Sequence, residues 1–136
     1  MIEFMVPGEP KALQRHRDNG RGGKYDPSAK DKQVFLINSM RYAPKEPFKI
    51  PLRVDIGFYL QRPKCHYETR KAVKGLLKSN SSKLHINTPD IDNLAKLVLD
   101  ALEGTYWHND KYICELNLIK QYSSNPRTEI SIMEAE

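Results

Sequence analysis

The chain has 136 residues, 39% of them hydrophobic and 29% charged, with a formal net charge of +5, which suits one folded domain over residues 1–136 and excludes two full cores or a disordered chain. It has no apolar run long enough to span a bilayer, and Met1–Pro7 lacks a signal-peptide pattern, so a cytoplasmic protein with no membrane partner is expected. Cys65 and Cys114 are isolated, which favours reduced thiols over a disulfide or a zinc site.

In chain order, Ile2, Phe4 and Val6 alternate with Glu3 and Met5 before Pro7-Gly8, the pattern of a short strand with one buried face. Glu9 to Pro27 follows, rich in Gly and carrying Lys11, Arg15, Arg17, Arg21 and Lys24. Such a composition cannot pack a core but can follow a phosphate backbone, so it reads as a mobile basic loop, with Arg15 and Arg17 as candidate DNA contacts. It is not a P-loop, since Gly-x-x-x-x-Gly-Lys-Ser/Thr is absent. Val34, Phe35, Leu36, Ile37 and Met40 predict a helix within 28–42 that covers one sheet face. After the Pro44–Pro47 break, Leu52, Val54, Ile56, Phe58 and Leu60 alternate with Arg53, Asp55, Gly57 and Tyr59, the clearest strand pattern in the chain.

Residues 61–83 form a second basic segment, with Lys71, Lys74 and Lys78 as candidate DNA contacts and Glu68 as the one acid. Within it, 67–78 reads as an amphipathic helix with Val73, Leu76 and Leu77 inward. Residues 113–122 and 127–133 read as strands joined by Ser123-Ser124-Asn125-Pro126, a predicted hairpin in which Cys114 belongs to the core and Thr128, Ile130 and Ile132 share a face. The fold expected is α+β: a small mixed or mostly antiparallel sheet covered by helices.

Between these segments lies the most informative stretch, Thr88 to Gly104. Apolar residues at 91, 94, 95, 98, 101 and 102 recur at helical spacing, Pro89 suits a first helical position, and Gly104 suits the left-handed residue that ends a helix. Asp92, Lys96, Asp100 and Glu103 share the opposite, polar face. Asp90 and Asp92 would point about 200° apart on a regular helix, but with Asp90 at an irregular helix edge both carboxylates can converge. Converging carboxylates repel unless a cation lies between them, and hard divalent cations favour oxygen ligands. Acids at a helix start also cap backbone N–H groups and complement the helix dipole, a reading the spacing alone leaves open. The charge distribution matches either: residues 1–83 carry 18 Lys and Arg against 8 Asp and Glu, and residues 84–136 carry 4 against 9.

Pro89-Asp90-Ile91-Asp92-Asn93-Leu94, then Lys96, then Leu99-Asp100-Ala101-Leu102, then a Gly and aromatic turn into Trp107-His108-Asn109-Asp110, resembles the RusA family of Holliday junction resolvases. The likeness is detailed from Pro89 to Ile113 and looser at Arg15-His16-Arg17 and Tyr25-Asp26-Pro27. It implies that Asp90, Asp92 and Asp110 hold a catalytic Mg2+, for which Mn2+ can substitute, and that Lys96 assists. It also implies a homodimer acting on branched DNA, four-way junctions above all, in recombination and repair. Where the family usually has paired acids at the turn, this chain has Asn109 before Asp110, and Thr88 stands where the family often has Lys or Arg. The competing reading is a non-catalytic DNA-binding module whose acids only cap the helix and pair with Lys96. His85 and His108 more often play structural or solvated roles than catalytic ones, and Trp107 is expected to anchor the turn in the core.

Overall fold

The computed structural model describes residues 1–14, 17–18, 20 and 23–136; Arg15 lies outside them. Four strands form one sheet, in the order β1 (Ile2–Pro7), β6 (Arg127–Glu134), β4 (Leu52–Gln61) and β5 (Ile113–Ser123). β6 is antiparallel to β1 and β4, and β5 is parallel to β4, so the sheet is mixed. Even-numbered β4 residues, Leu52 to Leu60, are buried together with Phe4, Val6, Ile130 and Ile132. Period-two alternation puts all of these on the sheet face that the helices cover. The α+β class expected from the sequence is what the chain forms.

The expected hairpin is absent. β5 and β6 flank β4 instead of pairing with one another, with Ser123 beside Gln61 and Arg127 beside Tyr59. Two strand spacings amount to about 9.6 Å, and the short link through Pro126 spans that distance across the end of β4, given 3.8 Å per Cα step. Cys114 is exposed, not core. The pairing passes from Leu52–Ile113 directly to Arg53–Glu115, which leaves Cys114 as the extra residue of a bulge.

Two helices lie on the buried face. α1 (Ala29–Ser39) buries Phe35, while Val34 and Ile37 stay exposed, so its contribution to the core is narrow. It starts at a built turn: Ser28 N–H donates to Asp26 Oδ1 at 2.9 Å, and Ser28 Oγ accepts Gln14 N–H at 2.8 Å. α2 (Ile91–Leu102) buries Leu94, Ala95, Leu97, Val98, Ala101 and Leu102, and exposes Asp92, Lys96, Asp100 and Glu103, as the spacing requires. Gly104, at φ +87°, ends it and receives the chain back through its own N–H to Trp107 O at 2.7 Å. Trp107 and Tyr106 are fully buried, so the turn is pinned into the core.

Two basic segments differ from expectation. Part of the N-terminal loop is a small antiparallel ladder, β2 (Arg17–Asp18) with β3 (Lys24–Tyr25). Residues 67–78 form no helix. Short 3-10 turns at Lys64–His66 and Lys71–Val73 are joined by an antiparallel bridge of Tyr67 with Leu77, giving a finger closed by Glu68 N–H to Leu76 O at 2.7 Å. Gly75 takes φ +90°, which reverses the chain where a helix would need φ near −63°. Leu76 and Leu77 consequently face solvent, 60% and 49% exposed.

Candidate active site

The acid-rich start of α2 is held from below by a residue the sequence reading passed over. Lys120, on β5, donates to Asn87 O at 2.7 Å and to Pro89 O at 2.8 Å, tying down the segment that presents Asp90. The signal was available: Lys120 has the strand parity of Leu116 and Leu118, so it is a cation on an otherwise apolar face. Pro89 precedes the helix instead of opening it, and Asp90 is the residue at the N-cap, extended at φ −72° and ψ 143°. Its carboxylate makes no cap hydrogen bond. Asp92 is exposed in the first turn.

Lys96, one turn further on, is exposed and makes no ion pair among the described residues. Asp100, its i+4 neighbour, instead faces Lys32 of α1 at 3.6 Å, and Lys32 also holds Asp26 at 2.7 Å. These neighbouring carboxylates, Asp26 foremost, raise the Lys32 pKa.

Asp110 sits at the other end of α2. Its Oδ1 accepts the indole N–H of Trp107 at 2.7 Å, and its backbone N–H donates to Glu103 Oε2 at 2.9 Å. Burial pushes the Asp110 carboxyl pKa up, the Trp107 N–H opposes this, and the nearby charges of Glu103 and Asp100 add to the rise. Glu103 and Asp100 were legible as a polar helix face, but not as neighbours of Asp110. Along α2, Asp92 and Glu103 are about 16 Å apart at 1.5 Å per residue. Along β5, Ile113, next to the Asp110 turn, is about 23 Å from Lys120 at about 3.3 Å per residue. Among the described residues, no three His, Cys, Asp or Glu side chains converge to hold one metal ion. Among the described residues, the acids of one chain therefore fall into two groups, at the two ends of α2.

The second basic segment does adjoin Asp90. Tyr122, nearly buried, accepts Asn87 Nδ2–H at 3.1 Å and is packed by His85 and His66, each with ring centroids at 4.7 Å, while the Arg62 guanidinium lies 5.4 Å above its ring. The finger carrying Lys71, Lys74 and Lys78 thus shares one anchor with the segment that leads to Asp90. Lys71 and Lys74 are exposed, and Lys78 lines a cavity of about 310 Å³ with His66, Asn80 and Asn87. His85 is buried, with Nδ1 unpartnered among the described residues, and burial followed by the Lys120 charge lowers its pKa. His108 is exposed and its N–H donates to Phe48 O at 3.0 Å.

The model of the family described as "Endodeoxyribonuclease RusA" matches residues 7–133. The chain belongs to the RusA family. Membership implies endodeoxyribonuclease activity, and the mixed sheet with two helices is the architecture expected of a RusA domain. A Bacillus subtilis (strain 168) protein named "Uncharacterized protein YqaN" is 33% identical over 142 residues, covering 98% of this chain and 96% of its own length. No helix among the described residues of this RusA protein is long and apolar enough to cross a membrane.

Proposed function

We propose that this RusA protein is a divalent-metal-dependent endonuclease that resolves four-way junctions and related branched DNA in recombination and repair, with residues 1–136 as the catalytic unit of a homodimer. The observation that carries the reading is Asp90: a carboxylate at the N-cap that caps nothing, two residues before a second exposed carboxylate. If the acids served only to start the helix, Asp90 would accept a hydrogen bond from N2 or N3. Two carboxylates left open to solvent offer the hard oxygens that Mg2+ or Mn2+ takes.

Because Asp110 lies at the far end of α2, the third ligand is assigned to Asp110 of a second copy, beside Asp90 and Asp92 of the first. This supports the homodimer, since a two-fold pair supplies two equivalent sites for the two strands of a junction. A bound divalent cation supplies charge neutralisation at the scissile phosphate and a lowered pKa for water. The remaining work falls to the chain. Lys96, without an ion pair among the described residues and one turn from Asp92, presents an ammonium to charge that develops on phosphate oxygens. Lys71, Lys74 and Lys78, with Arg15 and Arg17 across the basic N-terminal segment, hold the arms through their phosphates.

The test is a labelled four-way junction incubated with protein and Mg2+, or with EDTA. Cleavage should need Mg2+ or Mn2+, and Asp90→Asn, Asp92→Asn and Asp110→Asn should each lower it by orders of magnitude while binding persists. Binding without metal-dependent cutting would make this chain a DNA-binding module.

A further inference from the structure

Ile86 is 84% exposed, more than any other large apolar side chain among the described residues. The chain is held on both sides of it. His85 is buried, and its N–H donates to Lys120 O at 3.2 Å. Asn87 accepts Lys120 Nζ on its carbonyl at 2.7 Å and donates its amide to Tyr122 Oη at 3.1 Å. Leu84, bridged to Gln121 of β5, is also exposed, and two residues away in an extended segment it points the same way as Ile86. One exposed apolar side chain on a surface is ordinary. A pair held out from a fixed backbone differs, because the ordering that opposes a new contact has already been met by the fold.

Beside Ile86 opens the cavity of about 310 Å³ between the basic finger and the segment that leads to Asp90. Its size is near the lower end of ligand sites, about 300–1,000 Å³, and suits one flat heterocycle. Ile86 and Tyr122 supply apolar wall, and Asn80 and Asn87 supply amides. The Asn80 amide and the Asn87 Oδ1 make no hydrogen bond among the described residues, so they leave donors and acceptors for a base edge. Lys78 lines the same cavity, and exposed Lys83 opens the Leu84–Ile86 segment, which places cations for phosphates on either side of the apolar pair.

We propose that Ile86 enters the base stack of a branched DNA next to the cut site, and that the cavity beside it receives the base so displaced. The proposal rests on the DNA-cleaving reading above and gives it a source of selectivity. Ile86 is four residues before Asp90, so the two lie within about 14 Å of one another, or about four nucleotide steps at about 3.4 Å per step along one strand. Apolar side chains that enter a stack must offset the unstacking of that step. Removal of a base from the stack costs least where pairing is already interrupted, as at a branch point, and most in continuous duplex. A fixed isoleucine beside a one-base cavity therefore favours branched over continuous DNA without reading sequence in a groove.

The test is 2-aminopurine fluorescence, which rises when that base leaves the stack. The probe is placed at the branch point of a four-way junction, and at the middle of a duplex of the same sequence, and both are titrated with the full chain in EDTA so that no strand is cut. The junction signal should rise several-fold at saturation and the duplex signal should stay flat. Ile86→Ala should abolish the rise and lower the junction-over-duplex affinity ratio about tenfold, the effect of losing burial of about two of the three carbons removed. Ile86→Leu should keep most of the rise, and Asn80→Ala should reduce it. A parent protein that saturates the junction with no rise would overturn the proposal, as would an Ile86→Ala protein that keeps it. An Ile86→Ala protein that changes oligomeric state by light scattering would assign the side chain to a contact between copies instead. Cleavage with Mg2+ is scored separately: cutting without unstacking refutes this inference alone, unstacking without cutting refutes the nuclease reading alone, and no junction binding refutes both.

Discussion

Lys120→Met isolates the clamp beneath Asp90. The ammonium makes two hydrogen bonds, at 2.7 Å to Asn87 O and 2.8 Å to Pro89 O, while methionine keeps the stem along the sheet and loses both. Hydrogen bonds to a charged group contribute about 1.5–3 kcal/mol each. Here the carbonyls are partly solvated and water replaces some of the loss, so about 2 kcal/mol in total is expected, a fall in Tm of about 5–10 °C. The loss is local, which gives it a signature. Amide hydrogen exchange should speed up across residues 84–92 and leave β4 and the body of α2 unchanged. Junction cleavage should fall more than junction binding, because the acids lose their support while the basic finger keeps its phosphates. An unchanged Tm with unchanged exchange at 84–92 would show that the clamp holds nothing, and the geometry assigned to Asp90 would go with it.

Asp110→Asn should be more stable than the parent near pH 7, with the Trp107 hydrogen bond retained. The Asp110 pKa is raised in the fold by burial first, so the native state holds its proton more tightly than the unfolded chain does. That contribution favours folding at low pH and is lost as pH rises from the ordinary carboxylate range through the raised value. Melting scans of both proteins from pH 3 to pH 8 should therefore diverge with rising pH, and parallel curves would refute it. Lys96→Ala should leave Tm within a few degrees and lower cleavage about a hundredfold, in line with loss of an electrostatic contact to the transition state; near-normal cleavage at saturating Mg2+ would return Lys96 to the helix surface. Neutralising Lys71, Lys74 and Lys78 together should flatten the salt dependence of junction binding by about 0.9 in log–log slope per lost phosphate contact, and an unchanged slope would leave them merely solvated.

The sequence exposed α2 almost completely, because a helix that buries one stripe must repeat it. Leu94, Ala95, Val98, Ala101 and Leu102 carry that repeat, with Gly104 at positive φ as its stop. β4 was equally legible, since alternation over Leu52–Leu60 has one structural solution. Chain adjacency misled at β5 and β6: a short turn between two strands reads as a hairpin, and nothing local reports that β4 lies between them. The apolar residues of 67–78 suggested a helix, but Gly75 turns the chain and no surface receives Leu76 or Leu77. The site shows the same division. The acids themselves are local in sequence, whereas their separation by the length of α2 and the grip of Lys120 on Asn87 and Pro89 are tertiary facts.

Subunit mixing tests the central claim most directly. Asp92→Asn and Asp110→Asn proteins, each inactive alone, are exchanged into mixed dimers and assayed with Mg2+ for nicking of a labelled four-way junction. If Asp90 and Asp92 work with Asp110 of the other copy, a mixed dimer holds one intact site and one doubly damaged one. Random exchange makes half the dimers mixed, so nicking should recover to about a quarter of the parental rate. No recovery from chains shown by differential tags to have exchanged would contradict a site built from two copies.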